Sequence, residues 1–332
     1  MSYILQTYPW LQSSWFQLNR YINQSRIPQA LLIVGNVGLG KQYLAEYFAK
    51  SIMCSSPQAE ERPCGKCQSC LLFAAHTHPD FFYLAPEEPG KAMGIDIIRQ
   101  LTVKLALKPQ FESYRVVVIN SADSLNNASA NAFLKYLEEP TARTSLILLT
   151  DKPAKLPATI RSRCQKLYVS LTDKNQAIAW LKQQGVVDNV DLLLRLSKDS
   201  PLLAKQYADN SVLEFRAENF TKWLKVITAK ENFIVVAEQW SKLGKNEMQF
   251  LLFCLTGWMM DIIKLKSNSK VDKIANKDLL SDLQQLSERL DLKALYKYYD
   301  FLLLSQQRLD TQLNKQLIFE EILIHCSELN RG

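Results

Sequence analysis

The first half of the chain alternates short apolar runs with longer periodic segments. The runs are rich in Val, Ile and Leu, which is typical of strands buried on both faces of a parallel sheet. The segments between them repeat apolar residues every three or four positions, which predicts helices that cover that sheet. The predicted strands span residues 31–34, 81–84, 116–119, 145–150 and 166–169, and predicted helices lie within 3–30, over 41–53, over 95–107 and between a cap at Asn126 or Asn127 and Pro140.

The second half changes to helical periodicity throughout. Short amphipathic segments fill residues 171–209, and long Leu-rich segments with few glycines follow. The pattern predicts an α/β domain over 1–170, a small helical domain over 171–209 and an all-α domain over 210–332. Helices in the last domain are predicted at 215–227, 233–243, 248–264, 279–290, 292–304 and 313–329, with a polar loop near 266–278.

A glycine-rich loop follows the first predicted strand. Gly35, Gly38 and Gly40 allow the backbone to turn its N–H groups towards phosphate, and Lys41 can reach the terminal phosphates. A phosphate loop then requires Ser or Thr, whose hydroxyl binds Mg²⁺, but the chain has Gln42. The pattern favours descent from a nucleotide-binding protein over a chance glycine turn, and we regard ATP binding as doubtful.

The strand over 116–119 lies where a P-loop ATPase carries its second motif. That strand should end in the acidic residues that hold Mg²⁺ and polarise the attacking water. It ends instead in Asn120 and Ser121, of which the first is neutral and the second cannot act as that base. Together with Gln42, three positions that handle metal and water carry the wrong chemistry. The sequence therefore predicts that hydrolysis has been lost.

Four cysteines are concentrated directly after the phosphate-loop helix. Cys54, Cys64, Cys67 and Cys70 have the spacing C-x9-C-x2-C-x2-C, and Gly65 relieves the tight turn between two of them. Four thiolates satisfy tetrahedral Zn²⁺ and leave no open position, which predicts a structural zinc site over residues 54–70. The alternatives are an iron–sulfur cluster, whose pattern needs a cysteine at the position of Ala74, and disulfides, which a reducing compartment disfavours.

Other cysteines and histidines have simpler interpretations. His76 and His78 follow closely enough to replace one thiolate, but with four cysteines available we interpret them as neighbours of the site or as structural residues. Cys164, Cys254 and Cys326 lie among apolar or helical neighbours, which predicts buried small hydrophobic side chains.

Composition and charge indicate a globular chain. Of its 332 residues 47% are apolar and 22% are charged, and most of the net charge of +7 falls before residue 165. Basic residues between 135 and 166 could face phosphates, although a solvated surface is the alternative. The residues from Met1 onward do not form a charged segment followed by an apolar run. The longest apolar segment, 251–263, contains Asp261. We therefore expect neither a secretory signal nor a membrane span, and a cytoplasmic protein.

Four stretches together resemble the clamp-loader branch of the AAA+ ATPases. They are the cysteine insert and the segments Tyr136–Pro140, Leu149–Asp151 and Ile160–Cys164, and the segment His76–Asp80 is similar as well. Leu-Glu-Glu-Pro and Ser-Arg-Cys are hallmarks of bacterial loader subunits, and the resemblance covers residues 25–170. It implies an AAA+ P-loop domain with a zinc insert, a helical lid over 171–209 and an oligomerisation collar over 210–332 in a heteropentamer.

The same resemblance implies roles for single residues. Thr150 matches the sensor-1 position, and Arg163 matches an arginine finger that acts in a neighbouring subunit's ATP site. A surface salt bridge is the alternative for Arg163. Leu202 stands where ATPase relatives carry a sensor-2 arginine, so a fourth component of an ATP site is absent. Arg161 stands where those relatives carry an apolar residue.

The resemblance, together with the altered Mg²⁺ and water positions, implies a non-hydrolysing stator subunit of the bacterial DNA polymerase III clamp loader. We expect no activity of the isolated chain, although it would belong to a DNA polymerase holoenzyme. The resemblance implies three kinds of partner, namely ATPase subunits of gamma/tau and delta type, the sliding clamp, and primer-template DNA. The alternatives are an ATP-hydrolysing loader subunit and a stand-alone zinc-dependent nucleic-acid-binding protein, which would bind DNA with strong salt dependence.

Overall fold

The computed structural model describes residues 7–56, 63–88, 90–139, 141–267, 270–309, 311 and 313–329. The chain divides into two compact units, Met1–Gln206 and Tyr207–Gly332. The start of the chain, on which the absence of a secretory signal was predicted, and Pro140, predicted to follow a helix, lie outside the described residues. A separate lid domain over 171–209 stays a prediction.

Five strands of the described part of the first unit form one parallel sheet in the order β2-β3-β4-β1-β5. Every residue of β3 and β4 is buried, which explains why the segments 116–119 and 146–149 within them are continuous apolar runs. The predicted parallel α/β sheet is confirmed. The strands are β1 (Ala30–Val34), β2 (Phe81–Leu84), β3 (Arg115–Ile119), β4 (Thr144–Thr150) and β5 (Gln165–Tyr168).

Helices lie before, between and after the strands of the first unit, and some of them pack on the sheet. Leu32 and Val117 point to one face, where they share a core with Leu101 and Phe133 from two of these helices. The helices are α1 (Gln12–Asn23), α2 (Lys41–Met53), α3 (Gln68–Ala74), α4 (Ile95–Ala106), α5 (Asn127–Glu138), α6 (Ala158–Arg163), α7 (Lys174–Gln183), α8 (Val190–Leu196) and α9 (Pro201–Asp209), the last of which contains the division between the units.

Two local features differ from the sequence prediction. The helix expected within 3–30 is a 3₁₀ turn at Pro9–Leu11 followed by α1, because proline suits the first position of a helical turn, where no N–H partner is needed. Helix α3 was not predicted. Its N-cap is Cys67, whose sulfur accepts the N–H of Cys70, so this short helix forms around two of the clustered cysteines.

The second unit is a helical bundle, as the periodicity predicts. Its core contains Trp223, Trp240, Trp258 and Phe319, all almost fully buried. The described helices are α10 (Val212–Ile227), α11 (Phe233–Ser241), α12 (Lys245–Lys266), α13 (Leu280–Arg289), α14 (Leu292–Arg308) and α15 (Lys315–Glu328).

Helix α12 is, among the described residues, the one helix long and apolar enough to cross a membrane by length and composition. More than half of its most apolar window is buried inside the bundle, with Trp258 and Ile262 fully covered. Its apolar length is therefore explained by its place in the core.

A buried polar network joins the 270–279 segment to the bundle. Asp261 on α12 accepts the backbone N–H groups of Ala275 and Asn276 at 3.0 and 2.8 Å, and the side-chain amide of Asn276 at 2.8 Å. Arg216 on α10 donates to Asp278 at 2.6 Å and to Asn276 at 2.7 Å. These bonds satisfy charges that would otherwise be costly to bury.

Replacing Asp261 with asparagine is expected to lower the free energy of unfolding of the second unit by about 3 kcal/mol. The amide removes the negative charge of residue 261. Its NH₂ group would also face the N–H donors of Ala275 and Asn276, which now bond to a carboxylate oxygen. Urea unfolding followed by tryptophan fluorescence measures the loss. Asp300→Asn, at an exposed position of α14, is the matched control and should change stability by less than about 0.5 kcal/mol. Equal effects of the two variants would contradict a stabilising role of the network.

Candidate functional site

The predicted phosphate loop borders a cleft of about 270 Å³ at the carboxyl end of the sheet. In a parallel sheet the loops that follow the strands meet at this edge, so segments distant in sequence come together. The structure brings the predicted loop residues Gly38, Gly40 and Lys41 and the ends of two strands into this one cleft, whereas Gly35 does not line it. Its lining includes Gly38, Gly40, Lys41, Gln42, Asn120, Ser121, Thr150, Asp151 and Leu202.

Lys41 is bonded to its own loop. Its ammonium group donates to the carbonyl oxygens of Gly35 at 2.6 Å and Asn36 at 2.8 Å. Burial lowers the pKa of the Lys41 amine, while the carboxylates of Asp151 and Asp123 act in the opposite direction. The lysine that would hold terminal phosphates thus already has two acceptors within hydrogen-bond distance.

The segment around α9 closes directly over the loop. Leu202 donates its N–H to the carbonyl of Gly38 at 3.1 Å, and a Cβ placed on Gly38 would lie 2.5 Å from Cβ of Leu203. Gly38 also has φ +81°, so both its backbone conformation and this close approach require glycine. Asn36 donates to the carbonyl of Lys198 at 3.1 Å. The loop is therefore fastened to the segment 198–203.

Two side chains predicted to lie near Mg²⁺ or the γ-phosphate, Gln42 and Thr150, have other partners. The carboxamide of Gln42 donates to Glu46 at 2.9 Å along the same helix. Thr150, which the resemblance matches to the sensor-1 position, is buried and donates its hydroxyl to Asp123 at 2.6 Å. The Thr150 hydroxyl therefore already has a carboxylate acceptor within hydrogen-bond distance.

Arg163 is the last residue of α6 and is partly exposed. Its guanidinium makes an ion pair of 2.8 Å with Glu138, the last residue of α5, and donates to the carbonyl of Thr159 at 3.0 Å. Glu138 belongs to the Leu-Glu-Glu-Pro segment, so the structure joins two stretches that the resemblance singled out separately. Arg161 on the same helix has a buried Nε atom without a hydrogen-bond partner, for which nothing in the structure gives a reason.

The four predicted metal ligands come together. Sγ atoms of Cys54, Cys64, Cys67 and Cys70 all lie within 4.8 Å of one another, with Cys54 and Cys67 3.9 Å apart and Cys64 and Cys70 4.0 Å apart. Sulfurs around a tetrahedral Zn²⁺ stand about 3.8 Å apart, given Zn–S bonds near 2.3 Å. Gly65 has φ +71°, as the tight turn between ligands requires. The donor set therefore fits a tetrahedral structural metal ion.

The thiols differ in acidity. Burial raises the pKa of Cys67, but hydrogen bonds from the backbone N–H groups of Cys70 and Ser55 and from the thiols of Cys70 and Cys64 together lower it more, and the pKa falls to about 6. Burial raises the pKa of Cys70 to about 12. A cation bound between the four sulfurs would favour the thiolate form of each, because a coordinated thiol gives up its proton.

His78 supports the cysteine cluster without being one of its members. Its Nδ1 accepts the N–H of Asp80 at 3.1 Å, so Nε2 carries the proton and donates to the hydroxyl of Ser69 at 2.9 Å. Ser69 in turn donates to the carbonyl of Met53 at 2.7 Å, next to the first ligand, Cys54. Burial lowers the pKa of His78, which keeps the ring neutral. The interpretation of His78 as a structural neighbour agrees with these bonds.

Several contacts of the site have no signal in the sequence. Trp10 donates its indole N–H to the carbonyl of Leu39 in the loop at 2.9 Å, although its segment suggested only an amphipathic helix. The pairing of Glu138 with Arg163 was not predicted, because neither residue type nor spacing reveals it. The three cysteines predicted as buried hydrophobic residues, Cys164, Cys254 and Cys326, are indeed buried.

Family models match both units. The model described as DNA polymerase III, delta subunit, matches residues 11–172, which contain the cleft, the cysteine cluster and Arg163. The model described as DNA polymerase III, delta subunit, C terminal, matches residues 215–328 of the helical bundle. Among solved structures, a DNA polymerase III gamma subunit-related protein of Thermotoga maritima aligns over its full length with 95% of this chain. The sequence identity is 18% and the TM-score is 0.47, which is too low a similarity to support further inference.

Curated relatives are similar over most of the chain. DNA polymerase III subunit delta-prime of Pseudomonas aeruginosa is 31% identical over 327 residues, which cover 97% of this chain and 98% of that protein. The subunit of the same name from Escherichia coli is 37% identical over 199 residues, 59% of each chain. With a relative of this identity aligned from end to end, the chain belongs to the family of DNA polymerase III delta-prime subunits.

Proposed function

We propose that this chain is a non-hydrolysing subunit of the bacterial DNA polymerase III clamp loader, acting in the cytoplasm. In this role it helps to place a ring-shaped sliding clamp on primed DNA, together with ATPase subunits of gamma/tau type and a delta-type subunit. Membership of the delta-prime family supports the assignment of this chain to the clamp loader. The lid over 171–209 and the collar over 210–332 are part of the same proposal.

The loss of hydrolysis is supported above all by the bonding of Lys41. A P-loop lysine contributes to catalysis by meeting the β- and γ-phosphates, whereas Lys41 donates to the carbonyls of Gly35 and Asn36. Gln42 and Thr150, which would serve the metal and the γ-phosphate, are bonded to carboxylates. These bonds speak against the alternative of an ATP-hydrolysing subunit.

The second part of the proposal is that Arg163 acts as an arginine finger in the ATP site of a neighbouring subunit. Its side chain is partly exposed at the end of α6, so a second chain can reach it. A guanidinium keeps its charge at any physiological pH and presents several donors in one plane, which suits the charge on a transferring phosphoryl group.

The third part is that the cysteine cluster binds Zn²⁺ as a structural ion. All four ligand positions are filled by the chain, and a closed tetrahedral set of thiolates is typical of structural zinc. The ion would join the end of α2 to the start of α3 through Cys54 and Cys67. No step of clamp loading is assigned to it.

Clamp loading with a Lys41→Ala chain tests the inert site. The loader is reconstituted from this chain with its ATPase and delta-type subunits, and clamp placement on primed DNA is followed by fluorescence. The variant should support loading within about twofold of the wild-type rate, because the Lys41 ammonium is bonded to two carbonyls of its own loop.

The equivalent lysine-to-alanine change in the partner ATPase is the control and should abolish loading. A tenfold or greater fall with Lys41→Ala in this chain, at unchanged complex formation, would show that the cleft works as an ATP site. Failure of the wild-type chain to join the complex would reject the assignment to a clamp loader.

A further inference from the structure

The guanidinium of Arg163 is held at two points within its own chain. One nitrogen donates to the carbonyl of Thr159 one turn earlier in α6, which is a usual way for arginine to satisfy the end of a helix. A second nitrogen pairs with the carboxylate of Glu138 at 2.8 Å. Two contacts in different directions restrict the rotation of a long side chain that is otherwise free to move.

Both contacts leave donors available. A guanidinium has five N–H bonds, and only two are used by Thr159 and Glu138. The side chain of Arg163 is 37% exposed, so the remaining donors can reach outside the chain. The arrangement thus fixes the group without enclosing it.

Glu138 has an unfavourable place unless it pairs with a cation. It is the last residue of α5, where the partial negative charge of the helix end disfavours a carboxylate. Arg163 compensates that cost, and among the described residues no other ion pair is recorded for Glu138. The Glu138 carboxylate therefore stabilises the position of the Arg163 guanidinium and does not stabilise α5.

We infer that Glu138 is a positioning residue, which holds Arg163 in the orientation in which it enters the ATP site of the neighbouring subunit. The inference rests on the proposed role of Arg163 in that site. Glu138 itself would touch neither nucleotide nor metal. Because a finger that is ordered before contact loses less conformational freedom on reaching the transition state, removing the carboxylate should slow hydrolysis without weakening ATP binding.

The experiment is a rapid-quench measurement of ATP hydrolysis by the whole loader with clamp and primed DNA. Arg163→Ala identifies the hydrolysis phase that belongs to the neighbouring site, because that phase should disappear. Glu138→Ala should slow the same phase by about fivefold at unchanged amplitude and unchanged KM for ATP. Glu138→Gln keeps an acceptor for the guanidinium and should give an intermediate rate.

Controls separate positioning from general damage. Glu139→Ala changes the adjacent exposed carboxylate and should leave every phase unchanged. All variants should keep their melting temperature and their yield of assembled loader. In the Arg163→Ala background, Glu138→Ala should reduce the clamp-loading rate no further, because its effect passes through the arginine.

The outcomes are distinct. If Arg163→Ala removes a phase but Glu138→Ala leaves its rate unchanged, the positioning role is wrong and the arginine finger stands. A further loss of loading rate in the double variant would assign Glu138 a structural role and overturn the inference. If Arg163→Ala changes no phase, the finger is wrong and the inference falls with it.

Discussion

Replacing Arg163 with alanine is expected to reduce by one the number of ATP molecules that each loader hydrolyses in its first turnover. The neighbouring site should slow by about 10³-fold, because an arginine finger stabilises the charge of the transferring phosphoryl group. ATP binding should persist, since the finger acts mainly in the transition state. Rapid quenching of the reconstituted loader measures the amplitude, and equilibrium titration with a fluorescent nucleotide measures binding.

A matched control for this change is Arg99→Ala. Arg99 is also exposed and also pairs with a carboxylate, Asp96 at 3.1 Å, but it lies on α4 and is assigned no role. It should leave the amplitude unchanged. Full amplitude with Arg163→Ala, in a loader of normal composition, would reject the arginine finger and leave the surface ion pair with Glu138 as its explanation.

Replacing Cys67 with alanine is expected to weaken zinc binding by about 100-fold. Structural zinc sites gain about 10–16 kcal/mol in total, so each of four thiolates contributes roughly 3 kcal/mol. Metal analysis should find about one zinc ion per wild-type chain, and much less in the variant after dialysis against a mild chelator. The first unit should also melt at a lower temperature, because its two segments around the cluster lose their link.

Cys254→Ala is the control for cysteine loss as such. Cys254 is buried in the core of the second unit, far along the chain from the cluster, and its loss should leave the zinc content unchanged. Equal zinc loss in both variants would argue against a specific site. Iron, with visible absorption, in place of zinc would favour the iron–sulfur alternative.

The sheet was predictable because its signal is local. Strands such as Arg115–Ile119 and Thr144–Thr150 are buried on both faces, so most of their positions are apolar and form short runs that can be recognised in the sequence. The cysteine cluster was predictable for the same reason, since its ligands lie close in sequence and two-residue gaps direct successive thiolates to one point. Both the sheet and the candidate metal site could therefore be predicted from the spacing of residues close together in the sequence.

The state of the phosphate loop was not predictable in the same way. Lys41 could equally have pointed into an open cleft, and its contacts with Gly35 and Asn36 depend on how the loop is held. That depends in turn on the bond between Asn36 and Lys198, residues 162 positions apart. Sequence reasoning identified Gln42 as the wrong residue for Mg²⁺ but could not show where its amide lies.

The pairing of Glu138 with Arg163 illustrates the same limit. Each residue belongs to a stretch that the resemblance identified, yet only the packing of α5 beside α6 brings their charged groups to 2.8 Å. A helix-terminal carboxylate is locally unfavourable, which is a weak signal that its partner lies elsewhere in the fold.

ATP turnover by the purified chain alone, with Mg²⁺, tests the proposed inert site most directly. Wild type and Lys41→Ala should show the same rate, at the background of the assay, because the lysine is bonded to its own loop. Turnover above background that disappears in Lys41→Ala would contradict the account, since it would show that the cleft between the loop and Thr150 is a working ATPase site.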